Sequence, residues 1–285
     1  MRIWGKSAAG SGWHVRGKAI GLVVAVSMAS LPALPSSASA TNTFVSPPYA
    51  QGTFGYDVSW PNCSATPTLG SVTVSFAIVG IGGGRPFTTS SCAQSEYKTA
   101  QSSDGNTTSL YYNTGYVGAY AHDIVKVCTG AVDAAASTSG LDTFAGFTGH
   151  ALTQAEHAWE IGCSEAQYSF SNAPGAASFW WADVETGNSW STNTTLNQFA
   201  IDGMSYAMNV MDTNSKGVVG GGFYSSQGSW TKITGPSTFM PTPAAATWMT
   251  SVACGTTSFA GGTPAVVQNP PNSSVSGNVD VDEAC

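Results

Sequence analysis

The chain has 285 residues, of which only 9% are charged, with 16 acidic side chains against 9 basic ones and a formal net charge of −7. A weakly charged, acidic surface excludes nucleic acid and anionic membranes as primary partners, because both are held through clustered Lys and Arg. Abundant Ser, Thr, Asn and Gly together with nine Trp fit a protein that handles neutral polar ligands such as sugars.

Arg2, Lys6, Arg16 and Lys18 precede an apolar run from Ala19 to Leu31, and Ala38-Ser39-Ala40 supplies small residues at a cleavage position. Residues 1–40 are therefore expected to be a secretory signal peptide. The run is short and broken by Ser and Pro, and no later stretch offers the ~18 continuous apolar residues of a membrane span. Losing the leader would leave five basic against sixteen acidic residues, a formal charge near −11. The expected product is a secreted or wall-associated monomer: a Pro- and Ser-bearing tether over 41–52, then one domain over 53–285, with no membrane insertion. Six cysteines, Cys63, Cys92, Cys128, Cys163, Cys254 and Cys285, make disulfides the default in an exported chain. Of the possible connectivities, pairing nearest neighbours in sequence would staple three separate loops. None has the Cys-x-x-Cys spacing of a zinc or redox site, so no metal or other cofactor is expected.

In chain order, Phe54 to Trp60 reads as a short strand carrying Asp57 and closed by Pro61. Val72 to Ile81 is almost continuously apolar, the pattern of a strand buried on both faces. Gly82-Gly83-Gly84-Arg85 matches neither a dinucleotide fingerprint nor a Walker motif and reads as a backbone turn. Ser91 to Ser102 has helical spacing, and Leu110 to Val117 is a further strand bearing Tyr111, Tyr112 and Asn113. Gly118 to Gly149 reads as an elaborated loop. Thr153-Gln154-Ala155-Glu156 has the form of a capping box, with Ala155, Trp159, Cys163 and Ala166 on one helical face beyond it. The next strand, Ser178 to Thr186, is aromatic and ends in two acids. A second helix follows, in which Leu196, Phe199, Ala200, Gly203, Met204, Ala207, Met208 and Met211 form a packing stripe. Gly217 to Ser225 is a strand with Tyr224 near its end, and Gln227 to Ile233 a short helix or turn. Thr247 to Met249 and Ala265 to Gln268 are the last two strands, and Val279 to Glu283 closes the chain, so that six or seven of the eight strands of a barrel are accounted for. Near-continuous strands alternating with helices over this length predict a single (β/α)8 barrel of the TIM type, with an open doubly wound sheet as the alternative.

The chemistry concentrates at Asp183-Val184-Glu185. Side chains alternate along a strand and each residue advances it by about 3.3 Å, so Asp183 and Glu185 share a face. Two acids beside apolar rings are costly to bury, and a general acid next to an anionic helper is one function that offsets the cost.

With Asp57 and Asp280 added, the chain resembles glycoside hydrolase family 25, the lysozyme-type muramidases, or a sister branch of the same superfamily. The resemblance rests on Gly55-Tyr56-Asp57-Val58-Ser59, on Asp183-Val184-Glu185 after an aromatic strand, on Gly220 to Ser225 with Tyr224, and on Val279-Asp280-Val281-Asp282. Two segments depart from that pattern: Gly82-Gly83-Gly84-Arg85 stands where members carry a Lys-Ala-Thr-Glu-Gly-like run, and Val267-Gln268 where they carry Trp-Gln. The resemblance implies a glycosidase acting on peptidoglycan glycan strands, with Glu185 as general acid. Asp183 would be the ionised carboxylate that attacks, activates water or steadies a substrate acetamide, and Asp57 and Asp280 would orient substrate or tune the pair. Tyr112, Asn113, Trp181, Tyr224 and Gln268 are the expected substrate-binding residues. The alternative on the same barrel is a glycan-binding module without turnover. An amidase or peptidase is disfavoured because His122, His150 and His157 are scattered, and a serine hydrolase because no Gly-x-Ser-x-Gly is present.

Overall fold

The computed structural model describes residues 46–63, 66–103, 107–138, 144, 146–211, 220–236, 238–271 and 274–285; the expected signal peptide over 1–40 lies outside them. Eight strands close into a barrel in sequence order: β1 (Phe54–Val58), β2 (Phe76–Gly80), β3 (Thr108–Asn113), β4 (Trp180–Asp183), β5 (Gly221–Ser225), β6 (Ala246–Thr250), β7 (Val266–Gln268) and β8 (Asp280–Ala284). Helices α1 (Ala93–Ser103), α2 (Lys126–Thr138), α3 (Gly149–Ser171), α4 (Thr194–Asn209) and α5 (Gln227–Thr234) lie between β2 and β6. No helix among the described residues is long and apolar enough to cross a membrane.

The barrel departs from uniform strand–helix alternation. Pairing is parallel from β1 through β7, but β8 runs antiparallel to both β7 and β1. No helix follows β6 among the described residues, so the last three strands are joined by irregular chain rich in Gly, Ser, Thr and Pro. Reversal of β8 matters for the site. In an all-parallel barrel the first residue of a strand lies at the floor, whereas here Asp280 opens β8 at the mouth, opposite Asp57 near the end of β1.

Period-two alternation sorts the strands into two cores. Outward residues such as Tyr56, Val79, Leu110, Tyr112, Trp180 and Phe223 pack under the helices. Inward residues Phe76, Ile78, Phe179, Trp181, Ala246, Trp248, Val266 and Ala284 fill the lumen. The α3 and α4 helices approach each other through small residues: a Cβ on Gly162 would fall 1.8 Å from the Ala200 carbonyl oxygen, and one on Gly203 would fall 2.0 Å from that of Trp159. Only glycine permits this contact.

Local structure differs from the sequence expectation in three places. The segment read as a loop contains α2, whose Cys128, Ala131 and Val132 are buried at helical spacing. Helix α3 begins four residues before the expected capping box, after an extended Thr148; Thr153 lies inside it, its hydroxyl donating back to the Gly149 carbonyl at 3.4 Å. That i−4 back-bond is the ordinary fate of a mid-helix Thr. The segment read as a tether sends Tyr49 into the barrel floor, where its ring stacks on Phe76 at 4.1 Å and its hydroxyl meets Ser109 and accepts from Trp181 Nε1 at 3.3 Å. Disulfides join Cys63 to Cys92, Cys128 to Cys163 and Cys254 to Cys285, the nearest-neighbour pattern.

Candidate active site

The mouth of the barrel holds a cleft of about 590 Å³ lined by Asp57, Asp183, Glu185 and Asp280, with Tyr111, Tyr224, Trp248 and Gln268 among its other walls. All four acids come from inward strand positions or their direct continuation. The backbone beneath the central pair is fixed from both sides: the Asp183 carbonyl accepts from Thr114 N (3.2 Å) and Thr114 Oγ1 (2.6 Å), and Val184 N donates to Tyr224 O (2.9 Å). Beyond it, the Glu185 carbonyl accepts from Asn188 N at 3.2 Å and from the Trp190 indole at 2.9 Å.

Asp183 is 6% exposed and receives Asn113 Nδ2 on Oδ2 at 2.7 Å, while its Oδ1 has no hydrogen-bond partner among the described residues. Asn113 is itself oriented by Gly84 N, which donates to its Oδ1 at 3.1 Å. The glycine turn after β2 thus aims the amide that holds Asp183. Gly84 takes φ +82°, the left-handed region glycine adopts freely.

On the other side a chain of hydrogen bonds crosses the lumen. Tyr224 Oη donates to Gln268 Oε1 (2.8 Å), Gln268 Nε2 donates to Asp57 Oδ2 (2.7 Å), and Trp248 Nε1 donates to Asp282 Oδ1 (2.9 Å). Asp282 is completely buried and its Oδ2 has no donor among the described residues, yet it interacts closely with Asp57. At the rim, Asn269 Nδ2 donates to Asp280 Oδ1 at 2.8 Å.

Burial dominates the electrostatics. It pushes Asp183 up to about 8, reinforced by Glu185, and Asp57 up to about 7, reinforced by Asp280 and Glu185. Asp282 is raised well above the carboxylate range by burial and then by Asp57. Glu185, half-buried at the rim, is also raised by burial. The sequence reading put the retained proton on Glu185 and left Asp183 ionised; burial raises both carboxyls, and Asp183 is the deeper of the two and faces Glu185 and Asp57.

The structure brings Asp57, Asp183, Glu185, Asp280, Tyr224 and Gln268 to one cleft and leaves three expected binding residues out of it. Tyr112 points outward and packs edge-on against Trp180 at 6.1 Å, since residues of even number on β3 face the helices. Its neighbour Tyr111 takes the inward place, crossing Gly80, where a Cβ would lie 2.6 Å from the phenol ring. Trp181 is fully buried between Phe179 and Trp248 and forms the floor, offering no face to a ligand. Asn113 spends both polar atoms on Gly84 and Asp183 and positions the acid. Sequence reasoning missed Tyr111, Trp248 and Asp282 as site residues, although strand alternation pointed to Tyr111. Among the described residues one cluster has metal-type side chains, Cys63, Cys92 and Glu96, but both sulfurs are locked in a disulfide and offer no thiolate.

No family model and no curated protein matches the chain. Among solved structures it is similar to a muramidase from Acremonium alcalophilum, with 15% identity and a TM-score of 0.47 over 82% of this chain and 93% of that one. It is also similar to the modular Cpl-1 endolysin complexed with a peptidoglycan analogue (14%, 0.46), covering 83% of this chain and 55% of that one. A family 25 glycosyl hydrolase from Bacillus anthracis follows at 11% and 0.44, covering 82% and 89%. Likenesses at these identities and scores assign neither a family nor an activity, so the chemistry has to come from the cleft.

Proposed function

We propose that this protein is a glycoside hydrolase acting outside the cell on peptidoglycan glycan strands, with Glu185 as general acid and Asp183 as its partner carboxyl. The observation that carries the reading is the crowding of Asp57, Asp183, Glu185 and Asp280 around one open cleft, with protons retained near neutral pH. Cleavage of a glycosidic bond needs a carboxylic acid to protonate the leaving oxygen and a second carboxyl to stabilise or attack the cationic sugar. The sequence resemblance supplies the substrate class, and the three disulfides fit an oxidising compartment.

Access decides the roles ahead of proton affinity. Glu185 is the half-buried member at the rim, where a bridging oxygen can reach it; Asp183 lies beneath, buried, with Oδ1 unpartnered among the described residues. The proton held on the Asp183–Glu185 pair is available to Glu185 when a sugar excludes water. Asp183, once ionised, then steadies positive charge developing at the anomeric carbon or on a neighbouring acetamide. Asp57 is held by Gln268 and Asp280 by Asn269, which suits orientation of the ring hydroxyls. Tyr111 and Tyr224 offer aromatic edges on either side.

Purified protein should release new reducing ends from cell-wall glycan, and Glu185→Gln should lower the rate about 10²- to 10⁴-fold, the scale of a lost general acid, while keeping glycan affinity. Glycan binding without reducing ends from any wall polysaccharide would identify a binding module instead, and new free amines an amidase. Activity on intact but not de-acetylated walls would assign the internal nucleophile to the substrate acetamide.

A further inference from the structure

A second, open cavity begins at Thr186, the residue after the cleft-lining Glu185, and lies between the loop that follows and the last turn of α5. Its walls include Asn188, Trp190, Ser191 and Thr192 on one side and Lys232 on the other. Trp190 is half-buried, and its indole N–H is tied to the carbonyl of Glu185, so the ring is fixed to the backbone of the proposed acid. The loop is further pinned where Tyr116 N donates to Ser189 O at 2.8 Å.

One buried side chain clamps the two walls together. Asn197, fully buried at the start of α4, accepts from Ser191 N (3.1 Å) and donates through Nδ2 to Ser191 O (2.9 Å) and to Ile233 O (2.8 Å). The cavity is therefore built before any ligand arrives, which lowers the cost of binding there. Lys232 is exposed and forms no ion pair with a described residue. It is one of five basic residues after position 40, in a part of the chain with sixteen acids. An anionic group on a polymer threading the mouth is repelled by whichever of the mouth's acids are ionised and drawn to this cation.

We infer that the Trp190–Lys232 cavity is a saccharide subsite adjoining the cleft, which stacks one sugar ring on Trp190 and takes a carboxylate borne by the glycan at Lys232. This deepens the glycosidase reading and rests on it. The arrangement fixes polarity: the carboxylate-bearing unit is steered to one side of Glu185, which sets the register of the bond presented to the acid.

The test measures affinity in the Glu185→Gln background, so that nothing turns over, with three soluble probes of equal length. These are peptide-free glycan fragments with free lactyl carboxylates, the same fragments with those groups reduced to alcohols, and peptide-bearing fragments in which the lactyl carboxyl is an amide and the carboxylates lie on the peptide. At low salt the first should bind about two- to fivefold more tightly than the second, the scale of an exposed ion pair, with the preference fading at high salt. Lys232→Met should erase it, Lys232→Glu reverse it and Lys232→Arg retain it, while Trp190→Leu weakens all probes alike. Peptide-bearing fragments binding like the reduced ones would support recognition of the sugar's own carboxylate; binding like the first would show that Lys232 does not distinguish it from a peptide carboxylate and would overturn the assignment to the glycan. Equal affinity for all three probes, or a preference that survives Lys232→Glu, overturns the subsite while leaving the glycosidase reading intact. A protein that binds no fragment and releases no reducing ends overturns both.

Discussion

The two ends of the barrel lumen are built from neighbouring positions on the same strands and do opposite things. On β4 and its continuation, Phe179 and Trp181 close the floor while Asp183 and Glu185 open the mouth. At the floor, Phe76, Phe179, Trp181 and the inserted Tyr49 bury aromatic surface at ~25 cal/mol per Å², supplying stability with no chemistry. At the mouth, acids are held in a low-dielectric setting that disfavours their charge, supplying chemistry at the expense of stability. Two residues along one strand separate the two regimes, and the aromatic layer is what holds the acids above it out of water.

The sharpest way to break this division is to open the floor. Trp181→Ala removes a fully buried ring between Phe179 and Trp248 and should cost about 3–5 kcal/mol in denaturant unfolding. An equally active protein losing under ~1 kcal/mol would show that the floor carries little of the stability.

At the mouth the sign should reverse. Asp57 and Asp183 bind protons more tightly folded than unfolded, so the native state gains protons relative to the unfolded chain between pH ~4 and their raised values of about 7 and about 8. Their contribution is unpenalised below pH ~4 and worsens as pH rises toward 8; buried Asp202, also raised to about 8, acts in the same direction. Melting temperature should therefore fall from pH 5 to pH 8. Asp183→Asn should flatten that fall and raise the melting temperature at pH 8 by roughly 5 °C or more, while abolishing reducing-end release. A melting temperature that climbs with pH over this range would contradict the burial of the acids.

A smaller effect tests how the floor is sealed. Tyr49→Ala deletes the stack on Phe76 and the hydroxyl shared with Ser109 and Trp181, and should cost about 1–3 kcal/mol with little change in the pH profile of activity. The smallest expected change is Asp282→Asn. Its amide can still donate toward Asp57 and its carbonyl still accept from Trp248, so activity should persist within roughly threefold, whereas Asp282→Leu strands the Trp248 N–H and should lose far more. Equal losses in both variants would mean that Asp282 needs its charge rather than a donated proton.

The sequence by itself determined what is local. Strand and helix periodicities located six or seven of the eight strands and most helices, an aromatic segment ending in Asp-x-Glu announced the acid pair, and the nearest-neighbour option among the possible cysteine pairings is the one that formed. Alternation also distinguished Tyr111 from Tyr112 in principle, but telling which face is the lumen requires the barrel to close. Tertiary structure decided the rest, because those properties belong to no single segment. The direction of β8 carries Asp280 to the mouth, a turn before α1 aims Asn113 at Asp183, and Tyr49 enters a floor made by strands distant in sequence. Proton affinity followed the same rule: burial, which raises Asp183 and Glu185 alike, is set only when remote strands converge.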